Sequence, residues 1–346
     1  MHRVWATVPA AAAALLVAAT AAQAQPSAPV PAPQNFEVYC QPTDPGLAEL
    51  SGMAFADGAL YAIGDSGTDE NMAELDANCA VQRWIPVPVD PYDIEDMDAR
   101  DGTIWLSDTG DNRRQRDTVA LIGVDPTAGT GALHRLTYPD GPHDAEALII
   151  EPDGRPVIIT KEFAGTSGVY VPDSDTPAAE LPSPGPAALR RVGALHSGPA
   201  TAGGAPVPGE LVTGAALSAD GSVAAVRSYG RVYLFPVSDG DVAAAITTQA
   251  PVVIPAPIQP QGETVEFTES GDLLIGSESG GELRPLPPIM VLRGATELVA
   301  PVVDTDTGTA ESPADAAGSN AAWWAGGAVI AGLAVVAGAV VVWRRR

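Results

Sequence analysis

Short apolar runs separated by glycine-containing turns dominate the chain between residues 36 and 300. Five segments share one pattern, an apolar run, a tight turn and a second apolar run, at 50–65, 94–108, 146–161, 213–227 and 263–278. Four of the turns are Asp-Gly and the fifth is Ser-Gly. Asp-Gly between apolar runs is a strong short-range signal for a β-hairpin. Each segment therefore predicts two antiparallel strands.

The spacing of these hairpins is typical of a β-propeller. Their turn glycines stand at positions 58, 102, 154, 221 and 271, and repeats of about 40–50 residues with several short strands indicate propeller blades. The second and third units contain further apolar runs at 118–124, 133–138, 168–171 and 189–195. The Pro-rich segment 172–188 explains the longest interval. The last unit lacks a clear outer strand, which we expect residues 35–40 to supply by closing the ring.

No long amphipathic helix pattern occurs within 36–300, which argues against folds built from βαβ units. The sequence therefore predicts an all-β fold, a β-propeller in which we count five blades. Six blades stay open if the stretch 155–210 holds a degenerate one, and a β-sandwich is the structural alternative.

The two ends of the chain carry signals of export and of membrane anchoring. Residues 1–24 combine basic His2 and Arg3 with an apolar run that ends in small residues, as in a cleaved signal peptide. Residues 323–343 carry no charge and precede three arginines, and a helix of this length spans about 31 Å, close to the hydrocarbon core of a bilayer. A first transmembrane helix is the alternative for 1–24, although that run is short and ends in a cleavage motif.

These signals predict a single-pass protein of the cell membrane with its N-terminal domain outside. Its expected parts are a signal peptide at 1–24, a Pro/Ala-rich linker at 25–35, the propeller ectodomain at 36–300, a flexible stalk at 301–322, one C-terminal transmembrane helix at 323–343 and a cytoplasmic basic tail at 344–346.

Charge and cysteine content narrow the expected partners and the compartment. The chain has 43 Asp and Glu against 18 Lys and Arg, a formal net charge of −25, which argues against binding to nucleic acid or to an anionic lipid surface. Cys40 and Cys79 are its two cysteines. In an exported protein an isolated pair is expected to form one disulfide, and no neighbouring residues supply zinc-site spacing.

Aligning the hairpins on their turns places acidic residues at one end of the central channel. The inner strands then begin at Ser51, Glu95, Glu146, Thr213 and Glu263. The second strands end at Asp65, Asp108, Lys161, Arg227 and Glu278. Carboxylates held close together need a neutralising cation, and oxygen ligands suit calcium. We therefore expect a calcium site made by Glu95, Glu146, Glu263, Asp65 and Glu278, with solvated strand ends as the alternative.

Two basic residues and one polar loop lie on the same register. Lys161 is the only lysine in the sequence, and Arg227 occupies the matching position of the fourth hairpin. A pair of cations among acids predicts contact with an anionic group. The expected ligand-binding residues are Lys161, Arg227, Asp108, Asp111 and Asn112.

Several short motifs stand at these positions: Asp-x-Glu at 93–95 and at 144–146, Ser-Asp-Thr-Gly-Asp-Asn at 107–112, Thr-Lys-Glu at 160–162 and Thr-Gly-x-x-x-Ser-x-Asp-Gly at 213–221. With them the chain resembles exported actinobacterial β-propellers of the phytase-like and NHL/SMP-30-like group. For phytase-like members the resemblance implies that channel-end carboxylates hold calcium and that Lys or Arg holds phosphate. For SMP-30-like lactonases it implies a glutamate, an aspartate and an asparagine around one metal.

The sequence leaves three functions open. The first is a membrane-anchored extracellular β-propeller that binds a small anionic ligand or an extracellular protein partner at its acidic channel mouth. The alternative is a calcium-dependent hydrolase, either a phytase-like phosphoesterase or an SMP-30-like lactonase. The third is a structural or sensory ectodomain. No motif singles out a catalytic residue.

Overall fold

The computed structural model describes residues 35–65, 67–163, 165–196, 201–202, 205–206, 210–281 and 285–299. The predicted signal peptide, stalk, transmembrane helix and basic tail lie outside these residues, as does nearly all of the linker. Within the described ranges, no helix is both long enough and apolar enough to cross a membrane.

The strands form antiparallel four-stranded blades. Blade 1 consists of β2 (Leu50–Ala56), β3 (Ala59–Gly64), β4 (Asn71–Leu75) and β5 (Val81–Pro86). Blade 2 consists of β6 (Ile94–Arg100), β7 (Thr103–Asp108), β8 (Val119–Asp125) and β9 (Thr130–Thr137). Blade 3 consists of β10 (Ala145–Ile150), β11 (Pro156–Thr160), β12 (Thr166–Pro172) and β13 (Ala187–His196).

The second half of the described chain continues this arrangement. A short pair, β14 (Thr201–Ala202) and β15 (Ala205–Pro206), follows blade 3. Blade 4 consists of β16 (Val212–Leu217), β17 (Val223–Ser228), β18 (Arg231–Pro236) and β19 (Val252–Pro255). Blade 5 consists of β20 (Val265–Phe267), β21 (Leu273–Ile275), β22 (Ile289–Leu292) and the N-terminal strand β1 (Glu37–Cys40).

The innermost strands of the blades close into a ring. β2 contacts β6, β6 contacts β10, β10 contacts β16, β16 contacts β20, and β20 contacts β2 again. A closed ring of radially arranged sheets is a β-propeller and not a β-sandwich. The prediction of a propeller is therefore confirmed, and the described residues form five blades without a sixth.

The N-terminal strand closes the ring, as the sequence predicted. β1 pairs with β22 as the outermost strand of blade 5, with Glu37 opposite Val291. Cys40, at the end of β1, forms a disulfide with Cys79, which lies between β4 and β5 of blade 1. The two Cα atoms are 5.7 Å apart, and both residues are buried. The disulfide prediction is confirmed, and the bond links the last blade to the first.

The pattern of burial explains why these segments form blades. β10 and β11 are buried along their whole length, and their residues are apolar except for Glu146 and Thr160. The outermost strand β5 is largely exposed. Apolar side chains fill the space between neighbouring blades; one cluster joins Ile149 and Val157 of blade 3 to Val226 and Phe235 of blade 4. The core is therefore a set of layers between sheets.

The hairpin turns differ between the first two blades and the later ones. Asp57 and Gly58 both have positive φ, 49° and 79°, and so do Asp101 and Gly102, 52° and 75°. Positive φ at both central residues is the requirement of a two-residue type I′ turn. Blades 3 to 5 have longer turns, in which only the glycine has positive φ.

The Pro-rich insertion joins two blades. Between β12 and β13 it contains a 3-10 helix at Ala178–Glu180. β13 then pairs in parallel with β9 through Ala187 opposite Leu136, so blades 2 and 3 share one eight-stranded sheet. The remaining helical elements are α1 (Val242–Thr248) and 3-10 helices at Pro45–Leu47 and Ala295–Leu298.

Candidate functional site

A β-bulge at the start of the inner strand in blades 1 to 4 aims a side chain at one end of the channel. The strand pairing skips one residue after Leu50, Ile94, Ala145 and Val212. The skipped residues are the predicted strand starts Ser51, Glu95, Glu146 and Thr213. Because a bulge redirects the side chain of the extra residue, four blades present equivalent positions at the channel mouth.

Five carboxylates from three blades meet at this mouth. Carboxylate oxygens of Asp65, Asp93 and Glu95 all lie within 4.8 Å of one another, and so do those of Glu95, Asp144 and Glu146. Glu95 belongs to both sets. The predicted metal residues Asp65, Glu95 and Glu146 are thus brought together, whereas Asp93 and Asp144, which complete the cluster, were missing from the predicted set. Each aspartate stands two residues before one of these glutamates, in the Asp-x-Glu motifs at 93–95 and 144–146.

Glu95 is the most unusual member of the cluster. The residue is only 7% exposed, and its carboxylate oxygens lie close to those of Asp65, Asp93, Asp144 and Glu146. Burial, followed by repulsion from Glu146, Asp65 and Asp93, raises the pKa of Glu95 well above its usual value. A buried carboxylate among other carboxylates is stabilised by a proton or by a cation nearby.

Gly110 fits closely against these oxygens. A Cβ atom at this position would lie 2.1 Å from Oε1 of Glu95 and 2.5 Å from Oδ2 of Asp93. The backbone N–H of Gly110 donates to the carbonyl of Asp93 at 3.1 Å. Only glycine therefore allows the loop 109–112 to approach the carboxylates at this distance.

Lys161 occupies the other side of Glu146. Its Nζ is 2.5 Å from Oε1 of Glu146 and 5.3 Å from the centre of the Tyr229 ring. Burial lowers the pKa of Lys161, but the charges of Glu146 and Glu263 outweigh burial and raise it. Lys161 is therefore a fixed positive charge at the edge of the carboxylate cluster.

The predicted metal residues Glu263 and Glu278 are not members of the two close carboxylate sets, although their charges act on members of those sets. Glu263 accepts a hydrogen bond from Tyr229 at 3.1 Å, and Glu278 accepts one from Gln261 at 2.5 Å. Burial and repulsion from Glu263 and Asp65 raise the pKa of Glu278 to about 8. Glu263 is 4% exposed and Glu278 is 5% exposed. The alternative that these strand ends are simply solvated therefore does not describe them.

Arg227 has a structural position. It is fully buried, and its Nη1 donates to the carbonyls of Thr264 and Gly276 at 2.6 Å each. Burial lowers the pKa of Arg227 to about 10. The guanidinium thus bonds blade 4 to the backbone of blade 5 and offers no exposed face to a ligand.

The polar loop supports the carboxylate cluster from behind. Asp108 accepts from Arg116 at 2.9 Å and from the N–H of Asp93 at 3.1 Å. The N–H of Asp111 donates to Asp144 at 2.8 Å, while its own carboxylate accepts from the N–H of Arg116. Asp108 and Asp111 are buried and hold the neighbouring residues Asp93 and Asp144 in position, whereas Asn112 is exposed. The sequence reasoning missed Arg116, which nothing but its place after an acidic loop indicated.

The donor set at the mouth fits a hard cation. All ligand atoms in the two close sets are carboxylate oxygens, which suit calcium better than zinc or copper. Calcium–oxygen bonds are about 2.4 Å long, so two oxygens on one ion lie at most about 5 Å apart. The separations within each set, up to 4.8 Å, agree with this limit.

No family model matches the chain and no curated protein sequence matches it, whereas several solved structures have a similar fold. A glutaminyl cyclase of Myxococcus xanthus has a TM-score of 0.44 at 12% identity, covering 75% of this chain and 97% of that one. A gluconolactonase of Xanthomonas campestris has a TM-score of 0.41 at 16% identity, covering 73% and 78%. A luciferin-regenerating enzyme has a TM-score of 0.38 at 13% identity, covering 75% and 94%. Similarities of this size carry no activity from those proteins to this chain.

Proposed function

We propose that the acidic mouth of the propeller binds a calcium ion through carboxylates of Asp65, Asp93, Glu95, Asp144 and Glu146. The observation that supports this proposal best is Glu95, a buried carboxylate that is shared by two close sets of oxygens. Five carboxylates with a single ammonium group beside them leave excess negative charge, which a divalent ion would balance.

The bound ion would complete a site for a small anionic ligand or for an acidic group of a protein partner. Lys161 keeps its charge beside Glu146. An anion at the mouth could therefore contact the ion on one side and the ammonium group on the other. This arrangement also explains how a chain with a formal net charge of −25 would attract an anion.

A calcium-dependent hydrolase is the second candidate. It is favoured by the buried group formed by Lys161, Tyr229 and Glu263 directly beside the carboxylate cluster, because strongly shifted pKa values concentrate at catalytic sites. When bound, the ion would polarise a phosphoryl or carbonyl oxygen. Lys161 would stabilise the negative charge that develops on that oxygen.

The cellular setting is part of the proposal. An exported domain anchored by residues 323–343 would meet extracellular calcium, for which sites with dissociation constants of about 10⁻⁴–10⁻³ M are sufficient.

Thermal unfolding with and without calcium tests the proposal. Calcium at 5 mM, about 5–50 times a dissociation constant of 10⁻⁴–10⁻³ M, stabilises the folded protein by about 1–2 kcal/mol, which raises the Tm by about 2–9 °C for a domain of this size. The Glu95→Gln variant should lose most of this shift. The exposed Glu269→Gln at the opposite end should keep it. A calcium response of equal size in wild type and Glu95→Gln, or none in wild type at 5 mM calcium (about the upper range of extracellular sites), would rule the site out.

Activity assays separate the two candidates. Hydrolysis of p-nitrophenyl phosphate or of a sugar lactone is measured with calcium and with EDTA. Turnover that needs calcium and disappears in both Glu95→Gln and Lys161→Met would support the hydrolase. A calcium-induced rise in Tm without turnover of either substrate class would favour the binding function.

A further inference from the structure

A separate cavity lies at the end of the propeller opposite the acidic mouth, where β6 and β10 end. Its volume is about 330 Å³. It is bounded by the ends of blades 2 and 3 on one side and by the Pro-rich insertion on the other. The residues used below are Arg100, Asp101, Trp105, Ile150, Asp153, Pro177 and Glu180.

Arg100 forms part of the wall and has unused hydrogen-bond donors. Its Nη2 donates to the carbonyl of Ile150 at 3.0 Å, while its Nε is buried without any acceptor. Within the described ranges Arg100 forms no ion pair, although acidic residues far outnumber basic ones. Leaving a buried charged donor unsatisfied is unfavourable, and a guanidinium presents its donors as a fork that matches a carboxylate. The buried Nε is out of reach of a ligand, whereas Nη1 forms no hydrogen bond among those of the described residues and is the donor that a carboxylate-bearing ligand would meet.

The insertion fixes the opposite wall in place. The N–H of Ala178 donates to the carbonyl of Gly154 at 2.8 Å, and Nδ1 of His134 donates to the carbonyl of Leu181 at 2.9 Å. These bonds hold the 3-10 helix Ala178–Glu180 against blades 2 and 3. The cavity is thus preformed, which lowers the entropy that a ligand must lose on binding.

The inner surface is apolar and the rim is acidic. Trp105 and Ile150 are almost fully buried beneath the cavity. Asp101, Asp153 and Glu180 are exposed around its opening. A ligand with only a carboxylate would be repelled by this rim, whereas a ligand that also carries an ammonium group would be attracted to it.

We propose that this cavity binds a small zwitterion, an amino acid with an apolar side chain. Its carboxylate would pair with Arg100, its ammonium group would face the acidic rim, and its side chain would pack against Trp105 and Pro177. The volume is at the lower end of the range of about 300–1,000 Å³ for ligand pockets, which suits a molecule of this size. The site is distinct from the calcium site, so EDTA should not affect it.

Three matched ligands test the chemistry by calorimetric titration of the purified full chain. L-leucine carries both charges, L-leucinamide lacks the carboxylate, and 4-methylpentanoate lacks the ammonium group. We expect binding of leucine with a dissociation constant at least about tenfold below those of the other two, since a charge-assisted hydrogen bond contributes on the order of tenfold or more. Equal binding of leucine and 4-methylpentanoate would overturn the zwitterion, and no binding of leucine at 10 mM (about the weakest affinity of interest) would overturn the site.

Three variants place the ligand. Arg100→Met should weaken leucine binding about tenfold or more. Arg113→Met removes an equal charge from an exposed position at the other end and should leave binding unchanged. Ala179→Phe, at an exposed residue of the cavity wall, should fill the space and abolish binding without lowering the Tm, which separates loss of the ligand from loss of the fold. Wild-type affinity in either Arg100→Met or Ala179→Phe would overturn the proposal.

Discussion

Asp96 connects three blades inside the central channel, and its removal should destabilise the whole propeller. The residue is fully buried on β6. Its Oδ1 accepts from the N–H of Met97 at 2.9 Å, and its Oδ2 accepts from Leu148 on β10 at 2.9 Å and from Ala215 on β16 at 3.0 Å. The inner edges of these strands have no neighbouring strand within their own blade, so the carboxyl group satisfies donors that would otherwise lack an acceptor.

The magnitude follows from the number of donors left unsatisfied. Each buried N–H that loses its acceptor costs about 1–3 kcal/mol, and loss of the buried carboxyl group offsets part of the total. We therefore expect Asp96→Ala to reduce the free energy of unfolding by about 3–5 kcal/mol, against a total of about 5–15 kcal/mol for a typical domain. This corresponds to a fall in Tm of about 6–20 °C. Asp96→Asn retains one acceptor oxygen and should lose roughly half as much.

Urea unfolding followed by circular dichroism, together with thermal scans, measures both quantities. Asp173→Ala is the matched control, because Asp173 is exposed and its side chain forms no hydrogen bond within the described ranges. Its stability should stay within about 0.5 kcal/mol of wild type. An Asp96→Ala variant that lies within about 1 kcal/mol of wild type would refute the reasoning, since it would mean that water replaces the carboxyl group without penalty.

Three further predictions concern the disulfide, the pH and the anchor. Breaking the Cys40–Cys79 bond by a double change to serine should reduce the free energy of unfolding by about 4 kcal/mol, because the bond closes a loop with a sequence separation of 39 residues. Equal urea midpoints of the wild-type protein with and without reductant would contradict this. In EDTA, lowering the pH from 8 to about 5.5 should raise the Tm. Burial raises the pKa of Asp98 to about 6 and that of Glu278 to about 8, and the stability that comes from a raised carboxyl pKa is lost as the pH rises through that pKa. A Tm that falls over this interval would be the opposite result. Deleting 321–346 should release the protein into the medium, as shown by immunoblotting of cells and supernatant; retention on cells at high salt would indicate another attachment.

Much of the fold could be predicted because its signals are local. An Asp-Gly turn between apolar runs specifies a hairpin without reference to the rest of the chain, and Asp57-Gly58 and Asp101-Gly102 form the expected turns. The interval between turns then gave the number of blades. Strands without such a signal were missed: β22 follows a Pro-rich segment, and its identity depends on the N-terminal strand that pairs with it.

The candidate site was predicted only in part, because it depends on distances between blades. Counting residues from each turn placed Glu95 and Glu146 at the mouth, and bulges in the inner strands do direct them there. The same count treated all five blades as equal and therefore grouped Glu263 with them. In the structure, the ammonium group of Lys161 forms an ion pair with Glu146, and its positive charge interacts electrostatically with Glu263 as well.

By itself, the sequence determined the hairpins, the repeat that makes a propeller, the closing strand and the Cys40–Cys79 pair, since strand alternation, turn chemistry and cysteine count are properties of short segments. Tertiary structure decided which polar side chains meet. It placed Arg227 inside a blade interface instead of at the mouth, and it brought Asp93 and Asp144 to either side of Glu95. The physical reason is that the angle and spacing between sheets are set by the side chains packed between them, and these are distant along the chain.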